Sequence, residues 1–154
     1  MGAQRIDRFV DDLSNWYIRR NRSRFWHMHG EHARDSLAAF QTLHEVLVTI
    51  AKLAAPIVPF VTDAMYQNLV RAHEEQAPVS VHLCDYPTPD PAKEDRSLSE
   101  TMNAAIRLVS LGRAVRANTK IGVRQPLGDM LIVPRNKAER EAAEQFSDQL
   151  QDEL

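Results

Sequence analysis

Residues 11–26 read D-D-L-S-N-W-Y-I-R-R-N-R-S-R-F-W. They close an amphipathic helix that is predicted to begin near Gln4 and to end at Trp26, because apolar side chains recur at three- and four-residue spacing along one face. That apolar stripe consists of Ile6, Phe9, Val10, Leu13 and Tyr17. Continued at about 100° per residue, the same face next carries Arg20 and Arg24. The sequence therefore predicts a core helix whose buried stripe becomes basic in its last two turns.

The basic end of this helix also has a second edge. The residues on that edge are Asn15, Arg19, Arg22 and Trp26, and Trp16 lies among the same arginines. Arginines interleaved with aromatic residues suit RNA, because guanidinium groups pair with phosphates and rings stack on bases. Cations at a helix C-terminus are also favourable without any ligand, and they can pair with acids elsewhere in the fold. At this point both interpretations stay open.

A second basic stretch lies between residues 107 and 124. It contains five cations and no acidic residue: Arg107, Arg113, Arg116, Lys120 and Arg124. A helix that opens at Ser97 or Ser99 is predicted to carry most of it, and the same change from apolar to basic recurs on one of its faces. If the two helix ends lie together, they form one basic cup. The net charge of only −2 then indicates a localised anion site.

The remaining patterns define the predicted fold. Helices are predicted over residues 31–55, 59–73 and 136–150, a short strand or extended segment over 79–83, a proline-rich linker over 87–91, and a hairpin or two short strands over 121–133. The helix over 31–55 has a broad apolar face that includes Leu37 and Phe40, which predicts that it is central in a helical bundle. These elements predict a mainly α protein. Its helical bundle covers residues 4–120, and a small C-terminal α/β appendage begins at residue 121 and runs to 154.

Composition excludes several functional classes. The chain has 154 residues, enough for one domain with a core and a small appendage. Cys84 is its only cysteine, which excludes an internal disulfide and a multi-cysteine zinc site. His27, His29 and His32 lack further ligands in a matching pattern, so no metal site is predicted. The sequence has no secretion signal, membrane-spanning apolar run, glycine-rich phosphate loop or nucleophile elbow, which favours a cytoplasmic helical RNA-binding module over an enzyme.

Four ordered blocks of the sequence resemble the anticodon-binding region of isoleucyl-tRNA synthetases. They are F-V-D-D-L-S-N-W-Y-I-R-R-N-R-S-R-F-W, T-L-H-E-V-L-V-T-I-A-K-L-A-A-P-I-V-P-F-V-T-D-A-M-Y-Q-N-L, S-V-H-L-C-D-Y-P and L-G-R-A-V-R-A-N-T-K-I-G-V-R-Q-P-L. The resemblance covers about residues 5–134. The related valyl and leucyl enzymes share the architecture and parts of the L-A-P-x-x-P-F motif, and they are the near alternatives.

The resemblance implies a fragment of a ligase that binds the anticodon stem-loop of a tRNA. The parent enzyme would attach isoleucine to its tRNA with ATP and Mg²⁺ in a catalytic domain of the same chain. This piece lacks that domain, the editing domain and an earlier helix of the bundle, and should be inactive alone. It is expected to be a monomer with no cofactor of its own. The implied RNA-binding residues are Asn15, Trp16, Arg19, Arg20, Arg22, Arg24, Trp26, Arg113, Arg116, Lys120, Arg124 and Gln125.

Within this set the expected roles differ. Arg20 and Arg24 would either line the basic cup or brace it, and Trp26 or Trp16 would stack on an unstacked base. Arg124 and Gln125 would orient the appendage or touch RNA. Two other hypotheses remain beside the synthetase: a free-standing helical nucleic-acid-binding module, and a protein–protein scaffold whose arginines are solvated or paired.

Overall fold

A computed structural model describes residues 2–26, 32–122 and 125–154. It divides into two compact units, Met1–Pro89 and Asp90–Leu154. The helical elements of the first unit are α1 (Gly2–Asp12), a π-helical segment (Leu13–Ile18), α2 (Arg22–Trp26), α3 (Ala33–Ala54), α4 (Pro59–Tyr66), a second π-helical segment (Gln67–Arg71) and a 3₁₀ turn (Val81–Leu83). Those of the second unit are a 3₁₀ turn (Pro91–Lys93), α5 (Arg96–Asn118), α6 (Lys137–Gln145) and α7 (Ser147–Glu153). The predicted mainly α class is confirmed.

The first predicted helix is helical over its length but is not a uniform α-helix. After α1 the backbone widens into the π-helical segment Leu13–Ile18, and a turn at Asn21 precedes α2. A π-helical segment rotates the following residues relative to a 3.6-residue repeat, so faces assigned at a constant angle do not carry through it. Leu13 is buried at the start of this segment, whereas Phe9 stays half-exposed.

The central helix of the first unit is α3, which contacts α1, α2 and α4. Its buried side chains are mainly small: Ser36, Ala39, Ile50, Ala51 and Ala54. Small residues allow neighbouring backbones to approach closely. At the start of α3 they occupy the buried face in place of the larger side chains that were predicted there. Leu37 and Phe40 were predicted to face the core, but they are 57% and 37% exposed, while Ser36 and Ala39 beside them are buried.

By length and composition α3 resembles a membrane-crossing helix, with 22 residues and a mean hydropathy of 1.3 in its most apolar window. Composition alone decides little here, because the central helix of a bundle has the same length and apolar content. Glu45 and Lys52 lie within α3, and its small residues pack against neighbouring helices. These features agree with the predicted role as the central helix of a bundle.

α4 begins at Pro59, as predicted, and its Asp63 side chain binds the segment around Val81. The Asp63 carboxylate accepts hydrogen bonds from Ser80 Oγ at 2.7 Å and from the backbone N–H of Val81 at 3.0 Å. These bonds take a backbone donor that a strand would use in its ladder, and residues 81–83 form a 3₁₀ turn instead. The predicted strand over 79–83 is therefore wrong. Val81 packs with Tyr66 in a small core, where burial and the neighbouring Cys84 raise the pKa of Tyr66 to about 12.

The second unit is built on α5, which packs against α6 and α7. Its core contains Ala104, Ala105, Ala142 and Phe146. Asp95 caps α5 by accepting a hydrogen bond from the backbone N–H of Leu98 at 2.8 Å, so the helix begins before the predicted start at Ser97 or Ser99. Because α5 packs with the C-terminal helices, it belongs to the second compact unit, which begins at Asp90; the predicted division of the chain after residue 120 stays a prediction.

The predicted hairpin over 121–133 does not form in the described residues. Residues 121–122 and 125–136 contain no strand, and the apolar side chains of Leu131 and Val133 are 92% and 79% exposed. A strand is stable only with a partner ladder. In the described part of this unit α6 and α7 pack on α5, and no strand is present with which residues 130–133 could pair. The expected α/β appendage is therefore helical, with an irregular connection before α6.

Candidate nucleic-acid interface

The short helix α2 presents two different faces. Arg22 and Trp26 are four positions apart and therefore share one face, and both are exposed. The Arg22 guanidinium carbon lies 5.0 Å from the centroid of the Trp26 ring, within the range of a cation–π contact. The indole nevertheless remains 72% exposed. This face combines a cation and an open aromatic surface.

The remaining sides of α2 hold it against α3. The Phe25 ring packs edge to face against Phe40 at 5.0 Å between centroids, and against Tyr17 at 6.4 Å. The Tyr17 hydroxyl also donates a hydrogen bond to the Ala39 carbonyl oxygen at 3.4 Å. These aromatic contacts join α2, the preceding π-helical segment and α3.

Arg24 makes the polar part of the same anchor. Its Nε and Nη2 atoms donate to the two carboxylate oxygens of Asp35, each at 2.7 Å. Its Nη1 atom donates to Asn21 Oδ1 at 2.9 Å, and the Asn21 amide nitrogen donates to the Tyr17 carbonyl oxygen at 2.8 Å. Of the two roles left open for Arg24, the structure supports the brace. Asp35 and Asn21 were not predicted as partners of Arg24, although an acidic residue in the first turn of α3 is visible in the sequence.

The other residues predicted on this helix occupy different environments. The Arg20 guanidinium lies over the Trp16 ring at 5.5 Å, and both side chains are half-buried. Arg19 and Asn15 are exposed, and Arg19 Nε donates to the Asn15 carbonyl oxygen at 2.9 Å. Asn15, Arg19, Arg22 and Trp26 are therefore the exposed members of the predicted edge, while Arg20 and Trp16 are partly withdrawn.

Acidic residues of α6 and α7 neutralise two arginines of the second basic stretch. Arg107 Nη2 lies 2.7 Å from Glu139 Oε1, and Arg113 pairs with Glu153. Both carboxylates are buried. Glu139 also accepts the backbone N–H of Arg135 at 2.7 Å. This backbone hydrogen bond, together with Arg107, lowers the pKa of Glu139 below its usual value. These arginines are part of the packing of the second unit.

Arg116 is buried, with 5% of its surface exposed. Its Nη1 atom donates to the carbonyl oxygens of Gly122 and Gln125, each at 2.9 Å. A guanidinium in this position holds the connection that follows α5, and the implied RNA contact of Arg116 stays a prediction.

The remaining predicted residues lie after α5. Lys120 is exposed and adopts a positive φ of 58°, as residues at helix C-termini often do. Gln125 is exposed and supplies a carbonyl oxygen to Arg116. Arg124 lies outside the described residues, as do His27 and His29. The cup shared between the ends of two helices stays a prediction, because it depends on both compact units.

The two basic stretches differ in the acidic residues available to pair with them. Six acidic residues lie between residues 139 and 154, close in sequence to the second stretch. In the second unit these acids lie on helices that pack on α5, and two of them pair with its arginines. In the first unit Asp35 pairs with Arg24, whereas the Arg22 guanidinium lies over the exposed Trp26 ring. The α2 face of Arg22 and Trp26 is therefore the clearest candidate for binding a polyanion that has exposed rings.

Comparison with known proteins shows which family this sequence matches. Residues 2–131 match the model of a family described as the anticodon-binding domain of tRNA ligase. The chain is similar to the isoleucine–tRNA ligase of Thermus thermophilus, with 45% identity over 148 residues, and to that of Clostridium acetobutylicum, with 45% identity over 152 residues. The Deinococcus radiodurans isoleucine–tRNA ligase is 42% identical over 153 residues. These alignments cover 96–99% of the chain but only 14% of each relative.

Proposed function

The chain belongs to the family of anticodon-binding domains of tRNA ligases, and from this premise we propose that it binds the anticodon stem-loop of an isoleucine tRNA. The observation that carries the proposal is the exposed pair of Arg22 and Trp26 on one face of α2. Guanidinium groups and open indole rings are the two chemistries by which proteins hold the phosphates and the unstacked bases of an RNA loop.

The first step of binding in this proposal is electrostatic. Arg19 and Arg22 approach loop phosphates and displace condensed counterions, so the affinity falls as the salt concentration rises. Lys120 and Gln125 are further candidates for contact, and both are exposed. Arg107 and Arg113 add little, because each is already paired with a buried carboxylate.

The second step is stacking. Trp26 offers its indole to an unpaired base, and Arg22 stays over the ring edge or moves to a phosphate. Stacking on an aromatic side chain contributes about 1–3 kcal/mol per base and tolerates every base. Trp26 is favoured over Trp16 for this role, because Trp16 is half-buried beneath Arg20. Because stacking does not distinguish the bases, recognition of a particular base requires polar groups that hydrogen-bond to its edge.

The activity of the whole relatives is the wider part of the proposal. The relatives are named isoleucine–tRNA ligase, and we propose for the whole protein the attachment of isoleucine to tRNA in the cytoplasm, with ATP and Mg²⁺. In this proposal that chemistry belongs to a catalytic domain outside residues 1–154, which holds the bound tRNA together with this domain. The 154-residue chain by itself is then expected to bind tRNA without aminoacylating it.

The experiment is a binding titration of the folded chain with a fluorescently labelled RNA hairpin that carries the isoleucine anticodon. A hairpin with the same stem and a different loop is the matched control. We expect tighter binding to the isoleucine loop, and a steep loss of affinity between about 50 and 200 mM salt. Equal affinity for both loops at every salt concentration would support a non-specific nucleic-acid-binding module, and no salt-dependent binding would support a protein scaffold.

A further inference from the structure

We propose that Arg24 is a positioning residue for RNA: its clamp on Asp35 orients α2 so that Arg22 and Trp26 present one binding surface. The inference rests on the proposed function, because it concerns the same site. It adds that the RNA affinity of the domain depends on a residue pair that need not touch RNA.

The helical hydrogen bonds of the preceding segment continue into the five residues of α2. The Asn21 N–H donates to the Tyr17 carbonyl oxygen at 3.0 Å, and the Phe25 N–H donates to the Asn21 carbonyl oxygen at 3.2 Å. Tertiary contacts hold this last part of the helix against α3. In the described residues they are the two-point contact of Arg24 with Asp35, on the face opposite Arg22 and Trp26, and the ring contacts of Phe25 with Phe40 and Tyr17.

The geometry of the clamp restrains rotation as well as distance. Two parallel N–H···O bonds between a guanidinium and a carboxylate fix the plane of both groups. The third bond, from Arg24 Nη1 to Asn21 Oδ1, reaches the turn that precedes α2. Because Arg22 and Trp26 lie on the far side of the same short helix, a rotation of α2 about its axis would move both of them together.

The charges provide a way to separate positioning from direct contact. Asp35 neutralises Arg24, so this pair contributes little net attraction to RNA. If Arg24 acts only through Asp35, removal of the acid weakens binding, although simple electrostatics predicts that losing a negative charge beside a basic site strengthens it. Asp35→Asn is therefore the decisive variant.

The experiment measures hairpin affinity over a series of salt concentrations for the wild-type chain and for Arg24→Gln, Arg24→Lys, Asp35→Asn and Arg22→Gln. Circular dichroism melts establish that each variant is folded at the binding temperature. We expect Arg24→Gln and Asp35→Asn each to weaken binding about tenfold, within the range of one lost stacking contact, with the slope of log affinity against log salt unchanged. Arg22→Gln should reduce that slope by about 0.7–0.9, as expected when one phosphate contact is lost.

Two further variants complete the design. Arg24→Lys keeps the charge but loses the two-point geometry, so it should fold normally and bind the hairpin more weakly than the wild type. It replaces Arg24→Gln in the comparison if that variant is unfolded. The exchange Arg24→Asp with Asp35→Arg rebuilds the pair in reverse and should recover part of the affinity that either single exchange loses.

The inference is overturned if Asp35→Asn binds as tightly as the wild type or more tightly. A reduced salt slope in Arg24→Gln would instead assign Arg24 a direct phosphate contact. Both results leave the proposed function intact, because the wild-type chain still binds the hairpin. If the folded wild-type chain shows no salt-dependent binding, the proposed function fails and this inference fails with it.

Discussion

Arg107 Nη2 lies 2.7 Å from Glu139 Oε1, although the two residues are 32 positions apart in the chain. Glu139 is buried and also holds the beginning of α6, where it accepts a hydrogen bond from the Arg135 backbone. Its own backbone N–H donates to Asn136 Oδ1 at 2.9 Å. This pair therefore joins α5 to the capped N-terminus of α6. Arg107, although it belongs to a basic stretch of the sequence, thus takes part in the packing of the second unit.

The first expected outcome concerns pH. The backbone hydrogen bond and Arg107 lower the pKa of Glu139 in the folded state from its usual 4.5. A depressed carboxylate pKa contributes stability that is present above the unfolded pKa and is lost as the pH falls through the folded value. We expect the melting temperature to fall as the pH decreases below about 4.5, and Glu139→Gln to show a smaller decrease and a lower melting temperature at pH 7.

Glu144→Gln is the matched control for this measurement, because Glu144 lies on the same helix and is exposed. Its pH profile should follow that of the wild-type chain. If Glu139→Gln also follows the wild type through the acidic range, Glu139 is not the group whose protonation destabilises α6.

The second expected outcome concerns Arg116. Its truncation removes the Arg116 donor from the Gln125 carbonyl oxygen, leaves the Gly122 carbonyl oxygen with only the Gln125 N–H as donor, and opens a cavity beside α5, so Arg116→Ala should cost about 2–3 kcal/mol of unfolding free energy. Urea denaturation measures this. The exposed Arg140 on α6 supplies the control, since Arg140→Ala should change stability by less than about 0.5 kcal/mol. Equal stability of the two variants would contradict a structural role for Arg116.

The third expected outcome concerns Lys120, whose φ of 58° lies in the left-handed region. Glycine adopts this conformation without the steric cost that a Cβ introduces. Lys120→Gly should therefore stabilise the chain by about 0.5–1 kcal/mol in the same denaturation experiment. Lys120→Ala removes the charge but keeps the Cβ, and it should show no such gain. If both variants destabilise the chain equally, the lysine side chain is contributing a contact of its own.

The fourth expected outcome concerns Trp26. Because its indole is 72% exposed, Trp26→Ala should leave the melting temperature nearly unchanged while weakening the hairpin affinity by about 1–3 kcal/mol. Trp16→Ala should do the reverse, since Trp16 is half-buried and packs with Arg20. Thermal melts and RNA titrations of both variants measure the two effects. A stable Trp16→Ala with lost affinity would move the stacking site to Trp16.

Several features of this protein follow from the amino-acid sequence alone. Hydrophobic periodicity predicts the helical class, the central position of α3 and the start of α4 at Pro59, because each depends on residues close together in the chain. The family is also readable in the four ordered blocks from residue 9 onward, and residues 2–131 match its model. The concentration of arginines and aromatics before Trp26 suits RNA, and by itself it is equally compatible with arginines that pair within the fold.

Short-range patterns failed where a distant partner decides the structure. The residues over 79–83 alternate like a strand, but the Asp63 carboxylate accepts a hydrogen bond from the Val81 N–H, and residues 81–83 form a turn. The apolar run over 130–133 was predicted to be half of a hairpin, and in the described residues it has no partner ladder. The predicted faces of the first helix also assumed a constant rotation, which the π-helical segment Leu13–Ile18 interrupts.

The sequence by itself determined that this chain is helical, carries two clusters of arginines and belongs with the anticodon-binding domains. Only the tertiary structure decided which arginines remain exposed. Arg107 and Arg113 meet their carboxylates across 32 and 40 residues of chain, and Arg24 meets Asp35 across 11. Helical periodicity is a local property that a sequence displays directly, whereas the partner of a charge is set by how helices pack. This packing engages most arginines of the second cluster in the fold and leaves Arg22 exposed beside Trp26.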